Sequence, residues 1–119
     1  MYYLSIYTPA RNDGPASPEH MAAMGQLIEQ MTRNGKLVTT GALGKRATGG
    51  VSVRRKDGAF MVDETPNTAW MLAGGFAILS AASRADVIAD TKHFLEIAGE
   101  GISEVIELAF GPSHLEKGR

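Results

Sequence analysis

Only two segments of this chain carry the three- and four-residue apolar spacing of an amphipathic helix, while six short segments read as strands. Several of those strands are apolar on both sides. Two helices can cover one face of a sheet, so a chain with so few helices and such strands is tightly restricted in what it can fold into. The first helix opens at Ser17-Pro18, a cap followed by a proline whose missing N–H costs nothing at that position. Met21, Met24, Leu27, Ile28 and Met31 form its stripe, and Asn34-Gly35 ends it. The second helix opens at Ser83 with Asp86 three residues on, a short capping box. Its stripe is Val87, Ile88, Thr91, Phe94, Leu95 and Ala98, and Gly99 and Gly101 stop it.

The strands fall between and around these helices. Met1 to Thr8 is rich in aromatic and branched residues, and a loop from Pro9 to Ala16 follows it. Lys36 to Leu43 is a second strand, and Gly44 to Gly50 a loop. Val51 to Glu64 reads as a hairpin turning at Asp57-Gly58. A two-residue turn there sets Val53 against Val62 and Arg55 against Phe60 on one side, with Ser52 against Asp63 and Arg54 against Met61 on the other. Gly74 to Ala81 has Phe76 and Ile78 on one face and Ala77 and Leu79 on the other, the pattern of a strand buried on both faces. Ile102 to Phe110 is the last strand, and residues 111–119 form a polar tail.

The order strand, helix, strand, hairpin, strand, helix, strand describes an α+β fold: a ferredoxin-like antiparallel sheet with two helices on one face and an inserted β-hairpin. One domain spans residues 1–110. The face without helices should be polar in a monomer. Yet Tyr2, Leu4 and Ile6 oppose Tyr3, Ser5 and Tyr7, and Ile102, Ile106 and Leu108 share their strand with Val105 and Ala109. Both faces carry large apolar groups, so a second copy is expected to cover the bare face, making a homodimer of the α+β barrel kind. A monomer with a wide ligand pocket on that face is the alternative, and a pocket between two sheets is compatible with the dimer.

Composition narrows the function. Twelve Lys and Arg balance thirteen Asp and Glu, a net charge of −1 that provides no field for nucleic acid or an anionic membrane. There is no cysteine, which excludes disulfides, thiolate metal sites and a cysteine nucleophile. The three histidines are scattered without metal-ligand spacing. The start of the chain lacks the features of a signal peptide, and the uncharged stretch from Thr65 to Ser83 is broken by Pro66, Asn67, Gly74-Gly75 and Ser80, too short for a membrane span. The expected location is the cytoplasm. No Gly-rich phosphate loop and no Gly-x-Ser-x-Gly elbow is present.

Met21–Gly25 (MAAMG), Lys36–Leu43, the hairpin, Leu72–Leu79 (LAGGFAIL) and Glu104–Leu108 (EVIEL) together resemble the YCII-related family, and within it the DGPF branch. The resemblance runs in order from about Met1 to Phe110. Where the branch carries Asp-Gly-Pro-Phe, this chain reads Asp63-Glu64-Thr65-Pro66. Where it commonly carries Gly-Glu-Gly-Leu, this chain reads Thr40-Gly41-Ala42-Leu43. The resemblance implies a dimeric ferredoxin-like barrel with a cleft near the first helix and a His–Asp pair as its active site. It also implies a tie to enzymes acting on chlorinated hydroxyquinones and to genes encoded beside sigma factors.

His20 is the residue that best carries such chemistry. It stands in the first turn after the Ser17 cap, on the face of Met24, Leu27 and Met31, and an imidazole so placed is suited to accept a proton near neutral pH. It also matches the family's His at the start of this helix. Asp63 is the retained acid of the altered motif, a partner to orient His20, and Glu64 is a second acid for that role. Trp70, the single tryptophan, suits the wall of a pocket for a flat ligand, and Tyr7 offers a phenol at the end of the first strand. The leading expectation is a cofactor-independent enzyme using His20 as general base on a phenolic or quinone-like molecule. The alternative is a non-catalytic dimeric binding or regulatory module, linked to sigma-factor-dependent transcription. Monooxygenase chemistry without metal or flavin rests on fold analogy alone.

Overall fold

A computed structural model describes residues 1–10, 17–44, 49–64, 66 and 72–109. Trp70 and the tail at 111–119 lie outside the described residues. The elements are β1 (Tyr2–Pro9), α1 (Pro18–Arg33), β2 (Leu37–Ala42), β3 (Ser52–Lys56), β4 (Ala59–Asp63), β5 (Gly75–Ser80), α2 (Arg84–Ala98) and β6 (Gly101–Glu107). Both helix starts are capped as their sequences require. The Ser17 side chain accepts from the His20 N–H at 3.1 Å, and that of Ser83 from the Asp86 N–H at 3.1 Å. Gly35 and Gly99 take positive φ at the helix exits.

The main sheet has the order β2-β5-β1-β6, every neighbouring pair antiparallel. The two strands that flank each first-half crossover, β1 and β2, have β5 inserted between them. With α1 and α2 this is the ferredoxin-like α+β plan. Strand parity sorts the residues. Tyr3, Ser5 and Tyr7 on β1, Ala77 and Leu79 on β5, and Ser103 and Val105 on β6 lie on the helix side. The core is small and sits there: Tyr3, Leu79 and Val87, with Met31, Leu37, Ala77, Ala81 and Val105 packed around them.

The opposite face carries Leu4 and Ile6 on β1, Phe76 and Ile78 on β5, and Ile102, Glu104 and Ile106 on β6. No helix covers it. Phe76 and Ile78 are therefore only half-buried, where alternation in the sequence indicated burial on both sides of that strand. Ile102 and Ile106 remain 63% and 65% exposed.

The hairpin forms a sheet of its own, β3 with β4, in the expected register: Ser52 with Asp63, Val53 with Val62, Arg54 with Met61, Arg55 with Phe60. Asp57 at φ 54° and Gly58 at φ 81° make the turn, both central residues in the left-handed region that a two-residue hairpin demands.

Candidate functional site

The helices meet the sheet unevenly. Along α1 only Leu27 is buried, and along α2 only Val87. Met21 stays 64% exposed and Ile28 38%, so the apolar stripe of α1 is not fully spent on packing. Part of that stripe, Met24, Leu27, Ile28 and Met31, lines a cavity of about 460 Å³ between the two helices and the sheet. Its size falls within the range of pockets that hold small organic ligands. Its walls are mainly apolar, built from Met24, Leu27 and Met31 of α1, Phe94 of α2, and Leu37 and Leu79 of the sheet.

A few polar groups break that surface. His20 reaches it from the first turn of α1, Ser5 and Tyr7 from β1, Thr40 from β2, and Asp90 and Thr91 from α2. The Thr40 and Thr91 hydroxyls each donate at 2.7 Å to a backbone carbonyl, of Phe76 and Val87 respectively. Asp90 accepts from the Lys36 ammonium at 3.0 Å, a bond that ties α2 to the start of β2 beside the cavity. Lys36 is half-exposed, so this pair is worth on the order of 0–1 kcal/mol and serves geometry more than stability.

Tyr7 is held on three sides. Its ring meets Phe94 edge-on, with centroids 5.2 Å apart and planes at 86°. Gly101 and Gly74 lie close beside it, with no side chains to displace it. Its hydroxyl donates to the Glu100 carbonyl at 3.3 Å. Partial burial raises the phenol's pKa above 10.0, because the phenolate loses hydration there. At neutral pH the group is therefore an uncharged donor and acceptor at the cavity wall.

The structure places the sequence candidates in different regions. His20 and Tyr7 line one cavity. Asp63 closes β4 in the hairpin and Glu64 follows it; both are exposed, and neither lines the cavity. Among the described residues the carboxylate that does line it is Asp90. Pro66, the proline of the altered motif, is fully buried. Asp90 stands three residues after Val87 and four before Phe94, on the inner face of α2, and that spacing was the signal that could have found it. Ser5 alternates with Tyr3 and Tyr7 on the same grounds. Among the described residues no group of three or more His, Asp or Glu is arranged to hold a metal ion. No described helix is long and apolar enough to cross a membrane.

No family model matches the chain, and no curated protein matches it. Among solved structures, CutA from the phytopathogenic bacterium Xylella fastidiosa is similar at a TM-score of 0.43 and 10% identity, over 98% of this chain and 90% of that one. A likeness at this level carries no functional argument.

Proposed function

We propose that the chain is a divergent YCII-related protein of the DGPF type, acting in the cytoplasm. In this reading it binds a small, largely apolar ring compound between its helices and its sheet, and uses His20 as a general base on a phenolic or quinone-like substrate without a cofactor. The observation that carries it is the convergence of His20 and Tyr7 on one apolar cavity of about 460 Å³. The apolar walls suit the ring, which takes its affinity from area removed from water. The neutral Tyr7 phenol suits a ligand carbonyl or hydroxyl. The imidazole at the helix start is placed to take a proton from a hydroxyl held at that end. Asp90, not Asp63, is the acid that faces the same space. The protein works as a two-fold dimer, because Leu4, Ile6, Phe76 and Ile78 form an apolar face that no described helix covers.

A panel of substituted phenols and quinones tests this by thermal shift and by absorbance. At a hundred times Kd a true ligand stabilises the fold by about 2.7 kcal/mol, a rise of several degrees. His20→Gln should keep that shift and lose turnover. A shift without turnover in the wild type would favour the non-catalytic binding module instead. Full turnover in His20→Gln would remove the proposed base, and silence across the panel would remove the ligand class.

A further inference from the structure

The hairpin is the least explained part of the molecule. A two-stranded ribbon with no packed face is at best marginal in water, yet Val53, Phe60 and Val62 share one side of it at 62%, 69% and 62% exposure. Arg55 lies on the same side, its guanidinium 5.7 Å from the centre of the Phe60 ring. The strands pack mainly on one another. The hairpin therefore presents an apolar strip with one positive charge on it.

A surface of matching pattern exists elsewhere in the chain. On the uncovered face of the main sheet, β6 presents Ile102, Glu104 and Ile106 in succession. The two isoleucines are exposed and flank an exposed carboxylate. Among the described residues neither Arg55 nor Glu104 has an ion-pair partner within the chain. β6 is an edge strand, and the hairpin leaves the sheet from the opposite edge, between β2 and β5. The hairpin and the stripe are thus joined to opposite edges of the main sheet.

We propose that the hairpin is a docking arm for a second copy of this chain, its Val53–Arg55–Phe60–Val62 side seated on the partner's β6, with Arg55 against the carboxylate at position 104. The inference rests on the two-fold pairing proposed above and adds to it the contact that makes the pairing specific. A two-fold axis makes the exchange reciprocal, so each chain gives one arm and receives one. Strip and stripe together expose on the order of 500 Å² of apolar surface per chain. Two such contacts reach roughly 1,000 Å² in total, above the ~800 Å² typical of adventitious contacts even before the rest of the sheet face is counted. The opposite charges fix the register and exclude a slipped seating.

Sedimentation equilibrium on the full chain tests the arm by charge reversal. Arg55→Glu and Glu104→Arg should each weaken the dimer at least tenfold. The double reversal should return it to within about threefold of wild type. Circular dichroism and melting confirm that each variant is folded, and Phe60→Ser provides an uncharged variant that should weaken the dimer comparably. A wild-type dimer that tolerates both single reversals and Phe60→Ser would overturn the arm while leaving the two-fold pairing intact. A wild type that stays monomeric at 100 µM and above would overturn both and leave the hairpin to a different partner. Single reversals that weaken the dimer without rescue in the double variant would overturn the Arg55–Glu104 pairing.

Discussion

Gly101 lies against Tyr7 where no side chain fits. A Cβ added there would stand 2.5 Å from the Thr8 carbonyl oxygen, 2.8 Å from the Tyr7 ring and 3.0 Å from the Pro9 Cα. Two of those neighbours are backbone, which cannot swing aside. Gly101→Ala should therefore cost about 1–3 kcal/mol and lower the melting temperature by several degrees. A melt within one degree of wild type would show that the β1–β6 gap is wider than this. Gly41 is a softer case, because the atom in its way is the end of the Phe76 ring, at 2.6 Å. Tyr7 itself makes a pH prediction. Its pKa is raised in the fold by loss of hydration, so the native state holds its proton more tightly than the unfolded chain does. The resulting stabilisation is fully present below pH 10 and is lost as pH rises through the folded value. Ultraviolet titration of wild type minus Tyr7→Phe should show a phenolate midpoint above 10.0. A midpoint at or below that value would show that the phenol is fully hydrated.

At the scale of elements, each helix start is a separate stability device, and one of them is also part of the site. Ser17→Ala and Ser83→Ala each remove a cap and should each cost about 1 kcal/mol, seen as a similar fall in melting temperature. They should differ in a second readout. Ser17 accepts from the N–H of His20 itself, so its loss should shift the His20 ring resonances, whereas Ser83→Ala should leave them unmoved. Equal disturbance of His20 by both would show that the cap does not hold the site. These elements were legible in the sequence because their signals are local: a serine before a proline, an Asp-Gly turn, a glycine after an apolar stripe. The hairpin register followed from the turn alone, and the structure has it pair for pair. A cleft near the first helix was an expectation from resemblance only, and the cavity itself was not legible in the residue spacing. It arises because along each helix a single residue, Leu27 or Val87, is buried while most of each stripe stays at least partly open, a distance between elements that no spacing within one element encodes. The His20–Asp63 pairing failed to gather in the cavity for the same kind of reason. Asp63 belongs to a ribbon that forms a separate sheet, and nothing in its local sequence says where that ribbon points.

For the whole molecule, shape carries the argument. The radius of gyration is 16.3 Å over extents of 46 × 40 × 22 Å, whereas a compact chain of this length should have about 13–14 Å. The excess reflects a flat body with a small core, a bare sheet face and a projecting ribbon. Such a chain on its own leaves much of its apolar surface in water, since among the described residues Tyr3, Leu27, Ala73, Leu79 and Val87 make up the buried hydrophobic core. If the arms and faces of two copies complete the fold, its stability must depend on concentration, because unfolding then releases two chains. Each tenfold rise in protein concentration adds about 1.4 kcal/mol per dimer. Spread over the unfolding entropy of two such chains, that is a rise in melting temperature of roughly 3–5 °C per decade. Calorimetry between 2 and about 200 µM, two decades apart, should therefore separate the melts by several degrees, and Arg55→Glu should reduce the separation by shifting the dimer toward chains that melt alone. A melting temperature that is flat across both decades, with the mass of a single chain throughout, would mean that this thin core holds the fold without help and that the sheet face is tolerated bare.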